Sequence, residues 1–290
     1  MGNKERLIKK GLINYFPKNI NKFVDVFCGS GIVSMNVEAE IYILNDINPI
    51  IIDLLSLFED KEYSYIIEKM ENIIKEHGLM KGYNKRDLRE TDEYKAKAKE
   101  KYNAFRKYYN EVDRDIINLY VLSYYCNNNN IRFNKKGEFN MPIGNQYFNK
   151  EKHSEKVLSG CEFFKNNATA LYNDDYKNIL EHFIYHNTAK NSNDFIYLDP
   201  PYSNTTAIYN EQLGWSIDND LELFRLCEQL TAKGIRWAMS NVYENKGKVN
   251  QHLIDWVEKQ GLRVEFFDGF NYVACGKGNG KTVEVLIMNY

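Results

Sequence analysis

Between residues 23 and 58 the chain runs in an order that few folds accept. Phe23-Val24-Asp25-Val26-Phe27 is strand-like, and Cys28-Gly29-Ser30-Gly31 is a tight loop that predicts a helix beginning near Ile32. A second strand, Ile41-Tyr42-Ile43-Leu44, stops at Asn45-Asp46, and an apolar helix runs from Pro49 to Phe58. Strand, glycine loop, helix and strand in this order make a βαβ unit, which requires a parallel sheet buried on both faces. The expected class is therefore α/β with a Rossmann-like sheet.

The pattern returns later in the chain. Ala170-Leu171-Tyr172 leads to Asp174-Asp175-Tyr176, and the apolar run Phe195-Ile196-Tyr197-Leu198 stops at Asp199-Pro200-Pro201-Tyr202. Helices are expected over 218–233 and 248–260, and strands over 235–239, 262–267 and 282–287. An amino-terminal helix over 2–17 would bury Leu7, Ile8, Leu12, Ile13 and Phe16 before Pro17 stops it. Residues 58–155 differ in character. Helices are expected at 62–77 and 112–126, with a Lys- and Tyr-rich stretch between them whose run from Lys95 to Lys107 reads as a solvated helix face. Asn127 to Asn149 is irregular and rich in Asn. The domains read from this are residues 1–57 with 156–290, and an insertion of 58–155 devoted to recognition.

Composition excludes several classes. Five cysteines are odd in number and widely spaced, and five histidines are scattered, so neither a disulfide framework nor a zinc site is expected. A net charge of −2 gives no global sign of a nucleic-acid binder, so any such contact must rest on a local face. The amino terminus lacks the apolar core of a signal peptide, and no window is long and apolar enough to span a membrane, so a soluble, cytoplasmic protein is expected.

The chemistry concentrates at two strand ends. Asp199 delivers a carboxylate to the edge of the sheet where open α/β folds bind ligands. Pro200 and Pro201 fix the turn and contribute no backbone donors, so its carbonyls stay available as acceptors. Tyr202 adds a flat ring. Acceptors beside a ring suit a planar group carrying NH2, such as adenine or cytosine. Alone, the tetrapeptide reads as a surface turn, but the glycine loop upstream changes the balance. Gly29 and Gly31 permit close approach of a ligand to backbone N–H groups, and Asp46 ends the next strand, where an acid can grip ribose hydroxyls. The third glycine of a dinucleotide loop is replaced by Ser34, which disfavours NAD and suits S-adenosylmethionine. Asp25 is either a buried structural acid or a partner for a methionine-like amino group. Asp175 and Tyr176 could bracket an adenine ring. In the insertion, Asn129, Asn130, Arg132, Asn134, Lys135 and Lys136 interleave with Phe133 and Phe139; Arg and Asn read base edges and Lys serves phosphates.

With these residues in view, the sequence resembles the Dam-type N6-adenine DNA methyltransferases, most closely the T-even phage Dam enzymes. The resemblance rests on Gly2-Asn3-Lys4, Phe23 to Gly31, Asn45-Asp46-Ile47, Ile131 to Asn140 with Pro142 and Gly144, Asp199 to Tyr202, and Ser240-Asn241-Val242. The order of cosubstrate loop, recognition insertion and Asp-Pro-Pro-Tyr is that of the α class of amino methyltransferases. The resemblance implies a Rossmann-like methyltransferase sheet with an inserted, mainly helical target-recognition domain, and S-adenosylmethionine as cosubstrate with no metal. It implies Lys4, Phe27, Asp46, Asp175 and Tyr176 as cosubstrate contacts, and Asp25, Cys28, Gly29, Gly31, Ile47 and Asp199 at the same strand ends are expected to join them. Asp199, Pro200, Pro201 and Tyr202 would form the catalytic tetrapeptide, and Arg132 and Pro142 would read bases. The expected substrate is double-stranded DNA methylated on a flipped adenine, in GATC or a related site, by a bacterial or phage enzyme that is a monomer in solution. Asn145-Gln146 stand where relatives can carry basic residues, which bears on readout of the outer guanine. A cytosine N4 or RNA target, or a catalytically silent DNA-binding relative, remains open at this point.

Overall fold

The computed structural model describes residues 4–80, 91–186, 193–203, 215–267 and 282–290. Gly2, Asn3 and Cys275 lie outside them. In chain order the elements are α1 (Glu5–Lys9), β1 (Ile20–Asp25), β2 (Ala39–Asn45), α2 (Pro49–Asp60), α3 (Tyr63–Glu76), α4 (Asp92–Glu111), α5 (Ile116–Tyr125) and α6 (Lys150–Asn166). Then come β3 (Ala168–Tyr172), α7 (Tyr176–His186), β4 (Phe195–Leu198), α8 (Ile217–Ala232), β5 (Arg236–Asn245), β6 (Lys248–Val249), α9 (Gln251–Gln260), β7 (Arg263–Phe267) and β8 (Thr282–Met288). The chain divides into two compact units, residues 53–166 and residues 2–52 with 167–290.

The second unit holds the sheet, in the order β3-β2-β1-β4-β5-β8-β7, with β6 paired to β5. The strands from β3 to β5 are parallel, while β8 runs antiparallel to both of its neighbours. Strand alternation sorts the core. Val24, Val26, Ile196, Leu198, Trp237 and Met239 face Leu180 and Phe183 of α7, Leu223 and Cys227 of α8, and Leu253 and Trp256 of α9 in one buried cluster. On the other face Phe16, Phe23, Phe195 and Tyr197 pack ring on ring, with centroids 4.9–6.4 Å apart. Tyr197 is fully buried, and its hydroxyl shares a 2.6 Å hydrogen bond with Ser240 Oγ. A buried phenol needs such a partner.

Three expectations are corrected. No α-helix begins near Ile32: a short 3-10 turn, Ser34–Asn36, is all that stands between Gly31 and β2. The chain has too few residues before Ala39 to make a helix of several turns. The helix expected over 2–17 is two short pieces, α1 and a 3-10 turn at Leu12–Tyr15, parted by Gly11 at φ +91°. The expected strand 235–239 continues to Asn245, because β8 pairs with it as far as Asn245↔Thr282.

The described residues of 53–166 are mainly helical, with an irregular loop between α5 and α6. One face of α4 buries Ala98, Tyr102, Phe105 and Tyr109, while its lysines stay outside. The loop folds back on itself through the isolated pairs Cys126↔Ile143 and Phe133↔Phe139. Its closest approach is at Gly144, where a Cβ would stand 2.6 Å from the Cys126 carbonyl oxygen. Backbone on the far side cannot rotate away as a side chain would. Gly144→Ala should therefore destabilise this unit by about 1–3 kcal/mol, read as a lowered unfolding midpoint; an unchanged midpoint would show that the loop yields freely.

Candidate active site

Sheet order places the site. The chain builds outward from β1 through β2 to β3, then returns to lay β4 on the other side of β1. That reversal is a topological switch point, where neighbouring loops leave the strand ends in opposite directions and open a crevice. The loops that flank it are Cys28–Gly31 after β1 and Asp199–Tyr202 after β4. Their strands are joined in register, Asp25 opposite Tyr197, and Val26 N donates to the Tyr197 carbonyl at 3.1 Å.

At the end of β4, Asp199 is half-buried and Pro200 buried. Lys4 lies against them: its Nζ is 2.9 Å from Asp199 Oδ1, donates to the Tyr202 hydroxyl, and sits 5.2 Å from the centre of the Tyr202 ring. Tyr202 in turn donates to Asp199 Oδ1 at 2.9 Å. The three groups close a triangle in which both donors converge on one carboxylate oxygen. Burial alone would depress the Lys4 ammonium, but the charge of Asp199, with Tyr197 and Glu284 behind it, outweighs burial and raises it. Lys4 thus stays charged at 8% exposure because the tetrapeptide's acid neutralises it.

Around the glycine loop the carboxylates have divided tasks. Asp46 Oδ2 accepts from Gly29 N at 3.1 Å and Oδ1 from Asn48 N at 2.9 Å, so this acid ties the loop to the end of β2. Burial raises the Asp46 carboxyl above its usual value. Gly29 has φ +50° and Gly31 φ +70°, and nothing lies within 4 Å of where a Gly29 Cβ would be. Cys28 is buried, and burial pushes its thiol well up, the opposite of an activated nucleophile. Asp25 is 1% exposed. Its Oδ2 accepts from Ser34 Oγ at 2.8 Å, while Oδ1 is buried without a partner. Burial pushes this carboxyl up to about 7; the Ser34 hydrogen bond pulls against it, and the charges of Asp199 and Asp46 add to it.

The remaining cosubstrate candidates are partly brought together. Phe27 packs on Tyr176 at 5.5 Å, and both pack on Trp215, at 5.8 and 5.4 Å. Trp215 was not foreseen from the sequence; it stands alone there, with no apolar period around it. Asp175 Oδ1 accepts from Lys177 N at 2.9 Å, the geometry of a cap on α7. Ile47 is 45% exposed beside Asp46. Asn45, at the head of the Asn45-Asp46-Ile47 motif, is a buried staple: its amide donates to the carbonyls of Val26 and Asp174 and accepts from Asp174 N.

In the other unit, Arg132 Nε donates to Asn140 Oδ1 at 2.8 Å, which holds the guanidinium along the loop. Asn134 spends its amide on the hairpin turn, accepting from Lys136 N and Glu138 N and donating to Glu138 Oε2. Asn129 Nδ2 donates to the Ser123 carbonyl at 3.0 Å, and the Asn130 carbonyl takes the Cys126 thiol. Lys135, Lys136 and Pro142 are exposed. What sequence reading missed is the brace beneath them. Tyr102 and Arg106 of α4 both donate to the Met141 carbonyl, and Asn110 pairs with both the N–H and the carbonyl of Phe139. The spacing of four along α4 was the available signal.

A parallel sheet with an antiparallel edge, carrying a glycine loop and an Asp-Pro-Pro-Tyr at its switch point, is a Rossmann-like methyltransferase fold. The chain belongs to the D12 class N6 adenine-specific DNA methyltransferases, whose family model matches residues 1–264. Over all of its length it is 36% identical to the modification methylase StsI of Streptococcus sanguinis and 29% identical to the type II methyltransferase M.FokI of Planomicrobium okeanokoites. It spans only 42% of each of those two proteins. A DNA adenine methylase of Vibrio cholerae serotype O1 is 30% identical over 76% of this chain and 72% of its own length. Among the described residues no group of His, Cys, Asp and Glu could hold a metal ion, and no helix is long and apolar enough to cross a membrane.

The lone Asp25 oxygen gives a pH signature. With the folded carboxyl near 7 against an ordinary 3.8, the folded state binds a proton more tightly than the unfolded one. Stability therefore falls as pH rises through that window, and the penalty is complete above it. Asp25→Asn removes the penalty, so its gain in melting temperature over wild type should grow from pH 5 to pH 8. Thermal scans across that range check this, and a gain independent of pH would refute it.

Proposed function

We propose that this chain methylates the exocyclic N6 of adenine in double-stranded DNA, using S-adenosylmethionine. The observation that carries the reading is the Lys4–Asp199–Tyr202 triangle at the switch point, in a chain of the D12 family. The residues around the glycine loop fit the cosubstrate: Asp25 Oδ1 is a buried acceptor lacking a donor, and Gly29 leaves open space beside the loop backbone. Phe27, Tyr176 and Trp215 offer ring faces to a purine, and Asp46 at the end of β2 retains lone pairs for ribose hydroxyls. Bound S-adenosylmethionine supplies an electrophilic methyl group on sulfonium.

The chain's own residues then do the rest. A base inside a duplex is out of reach and must be extruded, at an unstacking cost of a few kcal/mol. Tyr202 stacks on the extruded ring. Asp199, with Oδ1 held by Lys4 and Tyr202, offers Oδ2 to one amino hydrogen, and the Pro200 carbonyl accepts the other. Both acceptors draw the nitrogen lone pair out of conjugation and aim it at the sulfonium methyl carbon. The N–C bond forms as the S–C bond breaks, with S-adenosylhomocysteine as the leaving group, and the proton lost from the nitrogen goes by way of Asp199 to water. No covalent enzyme intermediate is required, so rate comes from alignment and fixed charge. Recognition falls to the unit of residues 53–166, which contains the 58–155 insertion. Arg132 and Pro142 face bases there, Lys135 and Lys136 meet phosphates, and Asn134 serves by shaping the hairpin. GATC or a related site is the proposed target, by the Dam-type resemblance.

Asp199→Asn keeps the shape of the side chain but turns an acceptor into a donor. It should cut methyl incorporation from labelled S-adenosylmethionine into duplex DNA by about a hundredfold or more, with the far-UV spectrum unchanged. Near-normal turnover would sink the mechanism. Base-resolved mapping of the product separates methyladenine in GATC from methyladenine elsewhere and from methylcytosine, and an RNA competitor tests the substrate class.

A further inference from the structure

Asp220 is an acid that the mechanism above does not use. It is 1% exposed, and a carboxylate so deep is costly unless donors surround it. Three do. Trp215 Nε1 donates to Oδ1 at 2.7 Å, while Ser203 Oγ donates to Oδ2 and His252 Nε2 lies 2.8 Å from the same oxygen.

The identity of these partners matters more than their number. Ser203 directly follows Tyr202, the ring of the tetrapeptide. Trp215 is the indole packed on Phe27 and Tyr176. One carboxylate thus spans the base-gripping turn and the ring cluster beside the glycine loop, with one oxygen for each. His252 comes from α9 and anchors the acid from the helical layer, its ring 6.1 Å from that of Phe224.

Helix formation does not explain the acid. Asp220 lies in the first turn of α8, yet the start of that helix is closed by its neighbour Asn219, whose Oδ1 accepts from Ser216 N at 2.9 Å. Stability does not explain it either, because an apolar side chain of similar volume generally serves a core as well as a buried, hydrogen-bonded charge. What a carboxylate adds is geometry, two oxygens a fixed distance apart.

We propose that Asp220 is a positioning residue for methyl transfer, locking Tyr202, through Ser203, and Trp215 into one spatial register. The proposal rests on the methyl-transfer reading. Its effect falls on alignment in the bound complex, so it belongs in kcat rather than in affinity for DNA.

The test is steady-state methylation of duplex DNA by the full chain, wild type beside Asp220→Asn, Ser203→Ala and His252→Phe. An amide cannot accept from all three donors. Asp220→Asn should lower kcat at least tenfold while KM for DNA stays within threefold and the unfolding midpoint stays near that of wild type. Ser203→Ala, which cuts one arm, should lower kcat by about fivefold, and His252→Phe should fall between wild type and Asp220→Asn. A folded Asp220→Asn with wild-type kcat would overturn the proposal. So would Ser203→Ala at the wild-type rate, whatever Asp220→Asn does, since the carboxylate would then serve only the fold. If Asp220→Asn fails to fold, Ser203→Ala decides alone. An inactive wild type would remove the methyl-transfer reading and this proposal with it, whereas an active wild type with unchanged variants removes this proposal alone.

Discussion

The pairing of β1 with β4 is the constraint on which the rest of the second unit depends. Seven residues of backbone, from Phe23 to Val26 on one side and Phe195 to Tyr197 on the other, fix where two loops emerge. Because β1 and β4 are distant in sequence, only the sheet brings the glycine loop and Asp-Pro-Pro-Tyr together. Aromatic packing of Phe16, Phe23, Phe195 and Tyr197 on one face, and the α7–α9 cluster on the other, hold that pairing. Displacing either strand by one residue would turn its side chains to the wrong face and scatter the acids at its end.

Carboxylates then define the site by what neutralises them. Asp199 has a cation, Lys4. Asp46 has two backbone donors, and Asp220 has an indole, a hydroxyl and an imidazole. Asp25 has one hydroxyl and an oxygen left over. Four acids clustered in one unit would repel one another in a low-dielectric setting. They differ in their partners, and Asp25 is the least satisfied of them.

Strands of continuous apolar residues, such as Phe195 to Leu198, were legible in the sequence because burial on both faces leaves no other pattern. So were α2, α3, α5, α8 and α9, whose apolar periods are clear. The crossover after β1 was not, since glycine loop and apolar residues suggested a helix where the spacing to β2 left room only for a 3-10 turn. Nor was α6, whose first turns are Lys- and Glu-rich and whose buried face begins only at Val157. In the site, residues that sit at strand ends could be named in advance. Trp215 and Asp220 could not: the partners of Asp220 are 5, 17 and 32 residues away, and no local period records such distances. The same holds for α4, read as a solvated face though Tyr102, Arg106 and Asn110 grip the loop some thirty residues later.

Residues 53–166 have a simple status in the topology: they all lie within the connection from β2 to β3. A sheet asks of such a connection only that it return to the neighbouring strand. The entropy of closing it grows with the logarithm of its length, about 0.6 kcal/mol per doubling. The sheet is therefore almost indifferent to what fills the interval. Lengthening or shortening the interval should therefore cost the sheet little.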